Sequence, residues 1–186
     1  MNIDKFGQAL IGGGVKPSQF VVVGNVPFST QVNGPVSFLC KSASLPGTRI
    51  GTINVGWRGR QLKVPGDRTF DDWTLTFYNT TNFNIRNAFE NWVEQMQSTV
   101  GNTPGAGNLN FAPGSQTPYA DWQVTQLGRN NEALQTYNLK GCFPTEVSSI
   151  DLSYDNQDQI EEFTVNISYQ YFTVGPAVAQ HGQIGA

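Results

Sequence analysis

Charge is scarce in this chain: Lys, Arg, Asp and Glu make up 13% of its 186 residues, the net charge is −3 and the pI lies near 5.0. A surface so poor in ions must be largely neutral polar or covered by partners. With the mild acidity, basic residues that read as thinly spread argue against a high-affinity nucleic-acid binder, which needs clustered Lys and Arg. Histidine occurs once, as His181 in a tail of Gly, Ala and Gln. Without a second imidazole or a Cys pair at ligand spacing, no zinc site is visible. The two cysteines, Cys40 and Cys142, have no base nearby in sequence, so triad chemistry lacks its parts. Both read as buried free thiols in a reduced cytosol, with a single disulfide left open. No stretch is long and apolar enough for a membrane span, and Met1–Gly7 lacks a basic region followed by an apolar core. The expectation is neither membrane insertion nor a signal peptide. Asp71-Asp72 and Glu161-Glu162 are adjacent pairs, which a strand points to opposite faces, so neither forms a carboxylate dyad by itself. Gly12-Gly13-Gly14 lacks the Gly-Lys-Ser/Thr of a phosphate loop. These absences predict no catalytic residue, no cofactor and no metal.

What is present suits one domain over 1–186, mainly β with one helix. Residues 1–18 read as a flexible, glycine-rich N-terminal arm. Phe20–Val23 and Val36–Cys40 read as early strands. Residues 41–67 hold little apolar alternation, yet Ile53, Val55, Trp57 and Leu62 are residues that a freely solvated hairpin would hide. The segment is expected to be a projecting hairpin ordered against another subunit. Arg49, Ile53, Val55, Trp57, Arg58, Arg60, Leu62 and Lys63 are its candidate contacts. Pro65-Gly66 reads as a turn feeding a strand over Thr69–Tyr78, with Trp73, Leu75 and Phe77 on one face. An amphipathic helix follows, capped by Asn82 or Asn84, with Ile85, Phe89, Trp92, Val93 and Met96 forming its apolar stripe. Residues 101–118 form a long Gly-, Asn- and Pro-rich surface loop. Strands are predicted over Tyr119–Leu127, Leu134–Phe143, Val147–Tyr154 and Gln159–Val174, and 175–186 are a tail.

The last strand carries the second clue. Phe163, Val165, Ile167, Tyr169 and Tyr171 occupy one face, and Thr164, Asn166, Ser168 and Gln170 the other. A strand face in bulk water tends to carry Lys and Glu that keep sheets apart; this one is short, neutral and hydrogen-bonding. With Thr74 and Thr76 it would make a smooth wall. An ordinary Thr-rich solvent face gives the same pattern, and a carbohydrate-binding β-sandwich would show the same strands and aromatics.

Several segments occur together in one order: Leu45-Pro46-Gly47, the run from Gly59 through Pro65-Gly66-Asp67-Arg68 to Tyr78-Asn79, Arg86–Trp92, Phe143–Ser148 and Ile160–Val165. In this the chain resembles the tail tube proteins of contractile-tailed phages, over roughly Phe20–Phe172. The resemblance implies an antiparallel β-barrel or sandwich of two sheets with one flanking helix, shared with Hcp and pyocin tubes. It also implies a virion protein assembled in the host cytoplasm, whose hexameric rings stack into a hollow tube that conducts double-stranded DNA. Its partners would be copies of itself, the tail sheath, the baseplate and the tail terminator. On this reading the hairpin docks on the neighbouring ring, and Thr74, Thr76, Thr164, Asn166, Ser168 and Gln170 face the lumen. A tube-initiating baseplate protein or an Hcp-like secretion tube subunit would share these features.

Overall fold

The computed structural model describes residues 3–9, 14–29, 36–101, 117–155 and 157–176. The 101–118 loop beyond residue 101, up to 116, and the tail from 177 lie outside the described residues. The elements in order are α1 (Ile3–Ala9), β1 (Phe20–Gly24), α2 (Val36–Leu39), β2 (Cys40–Ala43), β3 (Thr48–Trp57), β4 (Arg60–Phe70), β5 (Trp73–Tyr78), α3 (Asn84–Met96), β6 (Ala120–Leu127), β7 (Ala133–Val147), β8 (Glu162–Ser168) and β9 (Tyr171–Pro176). All pairings are antiparallel.

The long strand β7 belongs to two layers. Its first half pairs with β6 and β9, giving one sheet in the order β1-β6-β7-β9. Its second half pairs with β8, giving the other in the order β7-β8-β5-β2. The changeover sits at Gly141, whose φ of 65° is left-handed, a conformation that glycine adopts without steric cost. The chain bends at the same level between β8 and β9, where the Gln170 amide donates to the Lys140 carbonyl at 3.0 Å.

Strand alternation closes the core between the layers. Trp73, Leu75 and Phe77 of β5 and Phe163, Val165 and Ile167 of β8 face Trp122 and Val124 of β6 and Leu139 of β7, all buried. Helix α3 joins both sheets: Phe89 lies 5.5 Å from Phe77 and 6.1 Å from Trp122, ring centre to ring centre. Trp92 is buried beside it, its indole N–H donating to the Pro118 carbonyl at 2.7 Å.

Several local expectations are corrected. Val36–Leu39 is a helical turn, and the strand begins at Cys40, so 41–43 belong to the main sheet and the hairpin spans 48–70. Pro65-Gly66 lies inside β4, where the register slips between Ile50 and Thr52; a two-stranded ribbon has open edges that tolerate the missing proline N–H. The helix cap is Phe83, left-handed at φ 52° and without a side-chain bond, while Asn84 is already helical. Val93 is exposed, and Ala88 takes its place in the buried stripe. Val147 ends β7, so no separate strand covers Val147–Tyr154, and the run Gln159–Val174 breaks at Tyr169-Gln170. Beyond that break the alternation changes phase, leaving Tyr169 buried and Tyr171 exposed.

Candidate assembly surfaces

β3 and β4 form a two-stranded ribbon apart from the main sheet. β-Branched residues at 48, 50, 52, 53 and 55 favour extended backbone. Arg58 (φ 46°) and Gly59 (φ 79°) close the ribbon as a two-residue turn, with Trp57 and Arg60 paired across it. Two positive φ values in succession are what the right-handed twist of a hairpin demands. The register puts Ile53 opposite Val64, Val55 opposite Leu62 and Trp57 opposite Arg60, so these side chains share one face. The other face carries Thr52, Pro65, Asn54, Lys63, Gly56 and Gln61.

The apolar face is uncovered, with Trp57 70% and Leu62 64% exposed. Of the eight predicted contacts, Ile53, Val55, Trp57, Arg60 and Leu62 come together on it. Lys63 lies on the polar face, Arg58 in the turn, and Arg49 at the root, where its Nε meets Asp71 Oδ2 at 3.1 Å. Val64 was missed; it stands two residues from Leu62, and only the register reveals its partner. The root is fixed from the core: the Trp73 indole N–H donates to the Ser44 carbonyl at 2.5 Å, and the Tyr169 hydroxyl to the Gly47 carbonyl at 3.3 Å.

A second surface is the outer face of the β7-β8-β5-β2 sheet. Thr74 pairs with Asn166 and Thr76 with Thr164, while Ser168 continues the same side of β8. The Thr74 hydroxyl donates to Asn166 Oδ1, and Asn166 Nδ2 donates to Glu146 Oε2, each at 2.9 Å. The Thr164 amide donates to the Ser148 hydroxyl at 2.8 Å. Five of the six predicted wall residues therefore share one face. Gln170 stands apart in the bend between β8 and β9, its side chain over Gly141. Ser42, paired with Thr76, and Glu146 extend the face and were not foreseen.

Neither surface holds reactive groups. Cys40 and Cys142 are free, and burial pushes both thiols up to about 12. Glu161 accepts from Asn79 and Glu162 from Lys41, each at the sheet's end. Among the described residues no group of three or more His, Cys, Asp or Glu could hold a metal, and no helix is long and apolar enough to cross a membrane. His181 lies outside the described residues.

An antiparallel β subunit with an uncovered apolar ribbon face and a polar, hydrogen-bonded sheet face has the surfaces of a structural protein. The chain belongs to the phage tail tube protein family, whose model matches residues 16–175. It is 32% identical over 138 residues to the tail tube protein gp19 of Enterobacteria phage T4, covering 73% of this chain and 80% of that one. It is 27% identical over 134 residues to the tail tube protein of Serratia phage KSP90, covering 72% of each. The fold is shared with a chain of the anti-feeding prophage baseplate (TM-score 0.64, 11% identity, 89% of this chain and 97% of that one). It is shared also with a chain of the extended sheath-tube complex of an extracellular contractile injection system (TM-score 0.56, 16% identity, 91% and 97%). The protein is a structural subunit of a contractile phage tail tube, and thus a virion component.

Proposed function

We propose that this chain is the repeating subunit of the inner tail tube, assembled in the host cytoplasm into hexameric rings that stack inside the sheath between baseplate and terminator. The apolar face of the ribbon supports the reading most directly. Ile53, Val55, Trp57, Leu62 and Val64 stand in water in the lone subunit, and a docked neighbour removes that cost at about 25 cal/mol for each Å² covered. Two edges of the β7-β8-β5-β2 sheet favour ring closure. β2 pairs only with β5, and Phe143–Val147 of β7 pair only with β8, among the described residues. Joining such edges between copies satisfies both ladders.

Thr74, Thr76, Thr164, Asn166 and Ser168 then line the lumen. Among the described residues Lys41 brings a positive charge to the end of that face, where Glu162 pairs with it, so passing double-stranded DNA gains little counterion-release affinity and slides.

Electron microscopy of the purified chain over a range of concentrations, beside sedimentation, tests the proposal. Rings and hollow filaments of uniform width are expected, and removal of Gly51–Arg60 should leave a folded protein that does not stack. A chain that stays monomeric at every concentration, or a deletion variant that builds the same tubes, overturns it.

A further inference from the structure

The ionic groups of this chain are few but segregated. The ribbon from Thr48 to Phe70 holds five of the eleven Lys and Arg, against one acid, Asp67. The segment 148–162 holds five of the fourteen acids and no Lys or Arg.

These two regions lie at opposite ends of one sheet. β5 leaves the ribbon at Trp73, which pairs with Ile167, and ends at Tyr78, which pairs with Glu162. The segment 148–162 connects the end of β7 to the start of β8, beside Tyr78, about 17 Å from Trp73 at a strand's rise per residue. With Lys41 and Tyr78 it borders an open groove of about 970 Å³. Leu152 and Ile160, which line the groove, are exposed, as is Tyr154 of the same segment. Asp151, Asp155 and Asp158 make no ion pair among the described residues, and neither do Arg58, Arg60, Lys63 and Arg68.

Resting on the tube reading, we propose that the ribbon of one copy seats in this acidic groove of a second copy. Both surfaces expose apolar side chains that need cover, and their charges are opposite. A ribbon-to-ribbon contact between two copies would instead set like charges face to face, which costs several kcal/mol. Because the ribbon's root and the groove sit at opposite ends of the β7-β8-β5-β2 sheet, the contact joins different surfaces of the two copies and is head-to-tail. It propagates without closing and gives the stack a single polarity. The contact supplies what the ribbon alone does not, a register between successive layers.

Matched charge reversal tests the pairing in the full chain. Arg58→Glu, Arg60→Glu and Lys63→Glu together take the ribbon from +4 to −2, and Asp151→Lys, Asp155→Lys and Asp158→Lys together take the segment 148–162 from −5 to +1. All six sites are exposed, so circular dichroism should show both variants folded. Each alone should raise the concentration needed for tubes at least about tenfold, equivalent to 1.4 kcal/mol. An equal mixture should restore tubes, because reversed ribbon meets reversed groove while native ribbon meets native groove. A groove variant that assembles like the parent, or a mixture as dispersed as its components, overturns the pairing and leaves the tube reading standing. A parent that forms no tubes removes both.

Discussion

Trp73 carries the connection between the core and the ribbon, and its truncation separates those roles. The side chain is 1% exposed, its ring centre 5.9 Å from that of Trp122 in an edge-on contact between the two sheets. Trp73→Ala removes that packing and leaves a cavity that β5, held between β2 and β8, is poorly able to collapse. The expected loss is about 3–5 kcal/mol. For a chain of this length that lowers Tm by about 6–20 °C. Trp73→Phe keeps much of the ring but deletes the indole N–H that meets the Ser44 carbonyl, costing about 1–2 kcal/mol and loosening the ribbon's root. Chemical unfolding should be followed in the variant lacking Gly51–Arg60, because assembly of the parent would add apparent stability by mass action. In the assembling background, Trp73→Phe should impair stacking more than its small stability loss explains. A loss under about 1 kcal/mol for Trp73→Ala would refute the placement of this indole in the core.

Gly24 pairs with Trp122, and a Cβ there would lie 2.1 Å from the buried indole; Gly24→Ala should cost about 1–3 kcal/mol and speed amide exchange over Phe20–Val23. Unchanged unfolding and exchange would refute the contact. Both thiols are raised from 9.0 to about 12 by burial, so the folded state holds protons that the unfolded state releases. Their contribution is intact below pH 9 and lost as pH rises through 12, so stability should fall across that window. Replacing both by Ala should flatten the decline, and an unaltered slope would refute it. At neutral pH neither thiol should react with a disulfide reagent until the chain unfolds.

The architecture was legible where one side chain period covered a whole element. Trp73, Leu75 and Phe77 alternate without interruption, and β5 and the buried side of β8 follow directly. Helix α3 was equally plain from Ile85, Phe89 and Trp92, although Val93 shows that a stripe three or four residues wide overreaches at its margin. The errors fall where tertiary geometry interrupts the period. Nothing local marks Gly141 as a changeover between sheets, or ends β8 at Ser168, because both bends exist to let β7 serve two layers at once. Gln170 was misplaced for that reason: alternation was carried through a bend. In the ribbon the reverse holds. Its sequence lacks a strong period because neither face meets this subunit's core, and the apolar row of Ile53, Val55, Trp57, Leu62 and Val64 appears only when the Arg58-Gly59 turn sets the register. A hairpin that needed its own subunit would carry its apolar signal toward the core; this one carries it outward, which is the face the proposed docking would cover.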